Sequence, residues 1–354
     1  MSRFAAQTLE LAIAHFPGAL LAPDGAAALR GAAPWLAPGR QLYFECRLAG
    51  ADRPLDISQH FFAHDGGADA LLALAERLAD AEGEAQTTWR RIADFARIWS
   101  SDAGLADTLV EIGLEHDLGA DGWVPAPAVF AAFRSDVLAD RAAGERFIAA
   151  VAPQGDAAWR QLLATLERAE AHGLKSGRLV GAMLSRDAQL RCMIRGLSPA
   201  PVRAFLTDIG WDGDIGALVA LLAQPPLTGD ATRLVLGFAP ALVADCGLEI
   251  IHGYDAPGIA ARDGLLDWLA ARGLADPARV AALREWPAAI TPADARADWP
   301  DAMIVRDLAG KAVRPHFSGF VNHVKLNLPA HRPALPAKAY LALAPLSGRQ
   351  AAHV

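Results

Sequence analysis

The sequence is short of several things that whole classes of protein need. It holds three cysteines in 354 residues, Cys46, Cys192 and Cys246, far apart and without a C-x-x-C spacing, which argues against a disulfide framework or a zinc knuckle. No apolar run approaches the ~20 residues that cross a bilayer, so no membrane partner is expected. A basic excess is missing as well: the net charge is −7 and Lys and Arg do not cluster, so no nucleic-acid partner is expected either. The ten histidines include no H-E-x-x-H, and no protein-built metal site is expected. G-x-S-x-G, the P-loop signature and a G-x-G-x-x-G after a strand are absent, which argues against serine hydrolases, P-loop enzymes and dinucleotide folds. The D-D-x-x-D spacing of helical terpenoid synthases is absent too.

What remains is a globular composition, 53% apolar and 21% charged, long enough to bury a large core. Phe4 to His15, interrupted by Glu10, reads as an amphipathic helix rather than a signal peptide, so a cytoplasmic chain is expected. Each cysteine falls on the apolar side of an alternating stretch, Cys46 with Phe44 and Leu48, Cys192 with Leu190 and Ile194, Cys246 with Leu248 and Ile250. All three are expected to be core thiols.

Alternation is the strongest pattern in the chain. In Asn322 to Leu328, His323, Lys325 and Asn327 share one face of a strand and Val324, Leu326 and Leu328 the other, because successive side chains point oppositely. Lys338 and Tyr340 oppose Ala339, Leu341 and Leu343 in the same way, giving a ribbon with one cationic face and one greasy face. Similar pairs are expected at Gln41 to Leu48 with Leu55 to Phe62, and at Leu109 to Leu118 with Ala128 to Arg134. They recur within Arg178 to Leu197, around a turn at Ser185-Arg186-Asp187, and at Arg233 to Phe238 with Val243 to His252. The second of these puts Glu111, Glu115 and Asp117 on one face and Val110, Ile112 and Leu114 on the other. The third places Arg191, Met193 and Arg195 together, and the fourth Asp245, Gly247, Glu249 and Ile251. Helical pairs separate the hairpins: Ala68 to Ala85 with Gln86 to Trp99, Asp136 to Val151 with Ala157 to His172, Ser198 to Leu222, and Ile259 to Arg272 with Pro277 to Trp286.

About ten antiparallel strands in an open sheet would leave hazardous edges, so closure is expected. Apolar faces must then look outward under a ring of helices and polar faces inward. The reverse would leave the helices packing on charge and a wide lumen unfilled. The fold class is therefore α+β, a closed ten-stranded antiparallel barrel of five hairpins with a polar lumen, in a single domain over residues 1–354.

This order resembles the α-β-β-α barrel of the aromatic and peptide prenyltransferases (PT barrel). Val110-Glu111-Ile112-Gly113-Leu114-Glu115 is similar to the indole-prenyltransferase strand whose glutamate binds the aromatic N–H. Lys338-Ala339-Tyr340 is similar to the Lys-x-Tyr pattern that the family repeats around the diphosphate. At two other strands where the family repeats it, this chain has Arg191-Cys192-Met193 and Gly247-Leu248-Glu249.

The resemblance implies transfer of an allylic group from an isoprenoid diphosphate to an aromatic small molecule or a peptide side chain, in peptide modification or secondary metabolism. It implies Glu111 or Glu115 as proton acceptor, and Arg191, Arg195, Lys325, Lys338 and Tyr340 around the diphosphate, with Asp117, Glu249 and His323 beside them. No cofactor is expected to be tightly bound, and Mg2+ would enter with the diphosphate. The competing reading of the cations is cross-strand pairing with Glu111, Glu115 and Glu249. A barrel that only binds a ligand or peptide, or does other lumen chemistry, is the alternative function.

Overall fold

The protein is described from a computed structural model. It covers residues 3–22, 24–50, 55–80, 85–119, 122–123, 126–184, 189–295, 298–301, 303–304, 316–330, 333–334 and 336–346. Ten long strands alternate with helix pairs. After α1 (Arg3–His15) and α2 (Gly25–Ala32) come β1 (Gln41–Arg47) and β2 (Asp56–Phe62), then α3 (Gly67–Ala79), α4 (Ala85–Ser101) and a short α5 (Ala103–Thr108). The second hairpin is β3 (Leu109–His116) and β4 (Ala128–Phe133), followed by α6 (Arg141–Val151) and α7 (Asp156–Ala171). Next are β5 (Lys175–Met183), β6 (Gln189–Arg195), α8 (Pro199–Asp208) and α9 (Ile215–Leu222). The chain ends with β7 (Thr232–Ala239), β8 (Ala241–Ile250), α10 (Ala256–Ala271), α11 (Pro277–Arg284), β9 (His316–Leu328) and β10 (Lys338–Leu346).

Each strand pairs antiparallel with its neighbours in sequence, and β1 pairs with β10, so the ten strands close into a barrel with no free edge. A two-residue strand, Ala289–Ile290, adds outside the ring on the start of β9. Closure is the expected solution to the edge problem. It also fixes geometry, because in a ring of ten each strand faces the one five places on: β6 lies across from β1, and β7 across from β2.

The outward faces carry the core. Leu42, Phe44 and Cys46 of β1, Ile57 and Phe61 of β2, and Leu190, Cys192 and Ile194 of β6 are buried under the helices, together with Trp89, Phe95 and Trp99 of α4. Burying each such large side chain contributes roughly 1.5–3 kcal/mol. Tryptophan N–H groups tie this coat to the barrel where the ladders slip. Trp99 Nε1 donates to the Leu109 carbonyl at 2.9 Å, beside a register break at Leu109/Glu111. Trp211 Nε1 donates to the Val243 carbonyl at 3.1 Å, inside the break between Leu242 and Cys246. A bulge frees a carbonyl from its ladder, and a buried indole satisfies it.

Two expectations are corrected. The bulge at Leu109/Glu111 turns Val110 to the lumen instead of the apolar side. The helix expected from Asp136 starts at Arg141, because the Asp136 and Asp140 carboxylates accept from the Ala139 and Ser135 amides and hold a turn there. α7 stops where expected, at Gly173 with φ +76°, and Leu174 N–H closes back on the Ala169 carbonyl. The three cysteines are free and buried. The turn expected at Ser185 to Asp187 lies outside the described residues.

Candidate active site

The barrel encloses a cavity of about 750 Å³ lined by residues from all ten strands. That volume lies within the range of small-molecule sites, roughly 300–1,000 Å³. One register line crosses six of the ten strands: His60, Gly113, Phe130, Gly181, Arg191 and Gly237 are successive cross-strand partners from β2 to β7. Large side chains alternate with glycines because a large group here lies over its neighbour's backbone. A Cβ on Gly181 would sit 2.7 Å from the Phe130 ring, and one on Gly113 would sit 3.2 Å from the His60 ring. Gly181→Val should therefore push Phe130 into the lumen and cost about 1–3 kcal/mol; Phe130→Ala in the same chain should recover the thermal midpoint.

Of the residues expected at the site, Glu111, Glu115, Arg191, Arg195, Glu249, His323, Lys325, Lys338 and Tyr340 all line this cavity. Asp117 does not. It follows the end of β3, outside the lining, and acts as a neighbouring charge on Asp56. Its alternation with Glu115 is lost because the chain leaves the barrel strand at His116.

The lining charges fall into two kinds. Lys325 Nζ is 2.8 Å from a Glu249 oxygen, and Lys338 Nζ is 2.5 Å from a Glu45 oxygen, with Glu45 also accepting from the Tyr340 hydroxyl. These lysines are engaged with carboxylates, in part as the competing reading had it, although the partner of Lys338 is Glu45. Burial alone would raise the Glu45 carboxyl, but the charge and hydrogen bond of Lys338, the Tyr340 hydroxyl and Arg47 outweigh it and hold the group down at about 2. Glu249 is likewise lowered, burial being overcome by Lys325, His323 and Arg191.

His323 stacks on Tyr340 with ring centroids 3.9 Å apart. Burial, opposed by Glu249 and aided by Lys325, pushes its imidazole down to about 4, so it is neutral near pH 7. Because Glu45 is depressed on folding, the unfolded chain binds more protons between about 4.5 and about 2. Stability from this network is present above that window and lost as pH falls through it. Urea unfolding at pH 7, 4 and 3 should show the drop, and Lys338→Met should flatten it.

The arginines are different. Arg191 makes no hydrogen bond or ion pair among the described residues, and its charge helps to lower Glu249. Arg195 donates from Nε to the Ser176 carbonyl at 3.2 Å, and Arg233 to the Thr232 carbonyl and that of Asp230. No carboxylate comes within ion-pairing distance of these three guanidinium groups among the described residues. Burial and the Arg195 charge lower Arg233, against the pull of Asp230 and Glu249. The wall formed by β6 and β7 thus carries three guanidinium groups that no carboxylate ion-pairs among the described residues. Across the lumen, β1 to β3 present Tyr43, Ser58, His60, Glu111 and Glu115.

Glu45, Arg233, Tyr43, Ser58 and His60 are site residues that the sequence reading passed over. Strand parity marks all of them, since Tyr43 and Glu45 oppose Phe44 and Cys46, Ser58 and His60 oppose Ile57 and Phe61, and Arg233 opposes Leu234. No three His, Cys, Asp or Glu side chains among the described residues converge on a metal position. Glu45 and Glu249 are held by lysines and Glu111 by His60.

No protein-family model matches the chain, and no curated protein matches it. Among solved structures, the apo form of the prenyltransferase PriB superposes with a TM-score of 0.50 at 14% identity, covering 97% of this chain and 95% of that one. The prenyltransferase NotF superposes with a TM-score of 0.49 at 11% identity, covering 95% and 91%. At 14% identity the PriB likeness carries the fold: the chain has the PT-barrel architecture, closed ten-stranded with surrounding helices.

Proposed function

We propose that the chain moves an allylic group from an isoprenoid diphosphate to an aromatic or peptide side-chain acceptor inside the barrel. What carries this reading is the wall of Arg191, Arg195 and Arg233, none of which is ion-paired to a carboxylate among the described residues, in a fold shared with a prenyltransferase. Guanidinium forks match phosphate oxygens and keep their charge at any working pH. In this reading the diphosphate lies against β6 and β7. Lys325, Lys338 and Tyr340 complete the lumen as an already neutralised frame. As the allylic C–O bond breaks, the aromatic faces of Tyr340, Tyr43 and Phe130 shield the cation, and the acceptor stands on the β1 to β3 wall beside Glu111 and Glu115. Any Mg2+ would arrive with the diphosphate.

Incubation with dimethylallyl or geranyl diphosphate and tryptophan, tyrosine or a peptide library should give a mass gain of one prenyl unit. Failure to bind diphosphate by calorimetry would end the proposal. A second reading, a barrel that binds a ligand or peptide without transferring anything to it, draws on the ion pairing of both lumen lysines. It predicts ligand binding that survives Arg191→Ala, whereas transfer predicts that it does not.

A further inference from the structure

Three lumen side chains on β2 and β3 stand in one hydrogen-bonded line. His60 Nδ1 bonds Oε1 of Glu111, and His60 Nε2 lies 3.3 Å from the Ser58 hydroxyl. An ionised carboxylate only accepts, so the ring proton belongs on Nδ1, and Nε2 is left as the acceptor of the Ser58 O–H. The imidazole is clamped in this pose. Gly113 passes beneath it, where any Cβ would come within 3.2 Å of His60 Cε1, and the Tyr43 ring packs edge-on with centroids 4.2 Å apart. Both ring nitrogens are therefore occupied, and Ser58, which lines the cavity together with His60 and Glu111, is the group through which a proton reaches the Nε2 acceptor.

We infer that Ser58, His60 and Glu111 form a proton relay that takes the acceptor's proton, with Ser58 touching the acceptor, His60 as the base and Glu111 as the positioning residue. The inference rests on the prenyl-transfer reading. The acceptor's hydrogen on C, N or O leaves as its bond to the allylic carbon forms, and the donor's C–O bond breaks with its electron pair departing on the diphosphate. That proton passes to Ser58 Oγ while the Ser58 proton passes to His60 Nε2. An imidazolium then sits against the Glu111 carboxylate, so no new uncompensated charge appears in a lumen already lined by guanidinium groups. A lone glutamate would do the same chemistry without Ser58, and that difference can be measured.

Two measurements on the full chain decide it. In protein labelled with 15N-histidine, the His60 ring should show a protonated Nδ1 and a bare Nε2, and Ser58→Ala should shift the Nε2 resonance alone. A proton on Nε2, or no response to Ser58→Ala, overturns the relay. In turnover, release of diphosphate from dimethylallyl diphosphate with tryptophan present should slow by ~10²-fold in Ser58→Ala and in His60→Gln. Calorimetric affinity for the donor and the thermal midpoint should stay put, and Ser58→Thr should restore most of the rate. The double variant should be no slower than the slower single, because the residues act as one unit. Multiplying effects, or a loss confined to donor affinity, would sink the relay while leaving prenyl transfer standing. A wild-type chain that neither binds nor cleaves the donor would remove the transfer reading instead, and the tautomer result alone would then decide whether the three residues are linked.

Discussion

Arg191→Ala should weaken dimethylallyl diphosphate binding by ~10²–10³-fold without unfolding the protein. Charge-assisted hydrogen bonds to phosphate contribute about 1.5–3 kcal/mol each, and a guanidinium makes them in pairs. Ordinarily such a loss cannot be separated from structural damage, because removing one buried charge strands its partner. Here Glu249 loses the Arg191 charge but keeps its ion pair with Lys325. Arg191 has no hydrogen-bonded or ion-paired partner among the described residues, and it lies between Gly181 and Gly237, its cross-strand partners. The urea midpoint of the variant should match that of the parent while the calorimetric signal collapses. Arg233→Ala should behave alike, and Arg191→Lys should recover only part of the affinity because an ammonium cannot span two oxygens.

Lys338→Met should do the opposite and destabilise the fold by about 3–5 kcal/mol, the usual cost of leaving a buried charge unpaired. Glu45 is 4% exposed, and its remaining partners would be the Tyr340 hydroxyl and an Arg47 guanidinium 3.7 Å away. Arg47 is shared with Asp56 at 3.2 Å. Burial and the Glu45 charge raise the Asp56 carboxyl to about 8, against the pull of Arg47. That corner of the barrel therefore has little spare positive charge to offer a second anion. Glu45→Gln combined with Lys338→Met should regain most of the stability, since a neutral amide can still accept from Tyr340. Guanidinium denaturation of the two singles and the double gives the coupling directly.

The contrast between these two cations explains how far the sequence could be read. Parity alone placed Arg191, Arg195, Lys325, Lys338, Tyr340, Glu111, Glu115, Glu249 and His323 on one surface, because a pleat that buries Val324 and Leu326 outward must turn Lys325 inward. Closure followed from the number of hairpins. The partnerships, however, depend on which strands meet. That Lys338 faces Glu45 follows from β10 closing on β1, a contact almost three hundred residues apart in sequence, and nothing local announces it. Bulges were equally hidden. The slip at Leu109/Glu111 that turns Val110 inward exists because Trp99, on a different element, satisfies the released carbonyl. Asp117 was misplaced for the complementary reason, since its alternation continues past the point where the strand ends. Ser58 and His60 could have been found, because both lie on the parity opposite Ile57 and Phe61.

The prenyl-transfer reading depends on the three lumen guanidinium groups that no carboxylate ion-pairs among the described residues. The most direct measurement is a crystal structure of the protein with the unreactive analogue dimethylallyl S-thiolodiphosphate. The account predicts a diphosphate inside the barrel on Arg191, Arg195 and Arg233, with the Lys325–Glu249 and Lys338–Glu45 pairs intact. A diphosphate held instead by Lys325 and Lys338 with those pairs opened, or one bound only outside the barrel, would contradict it.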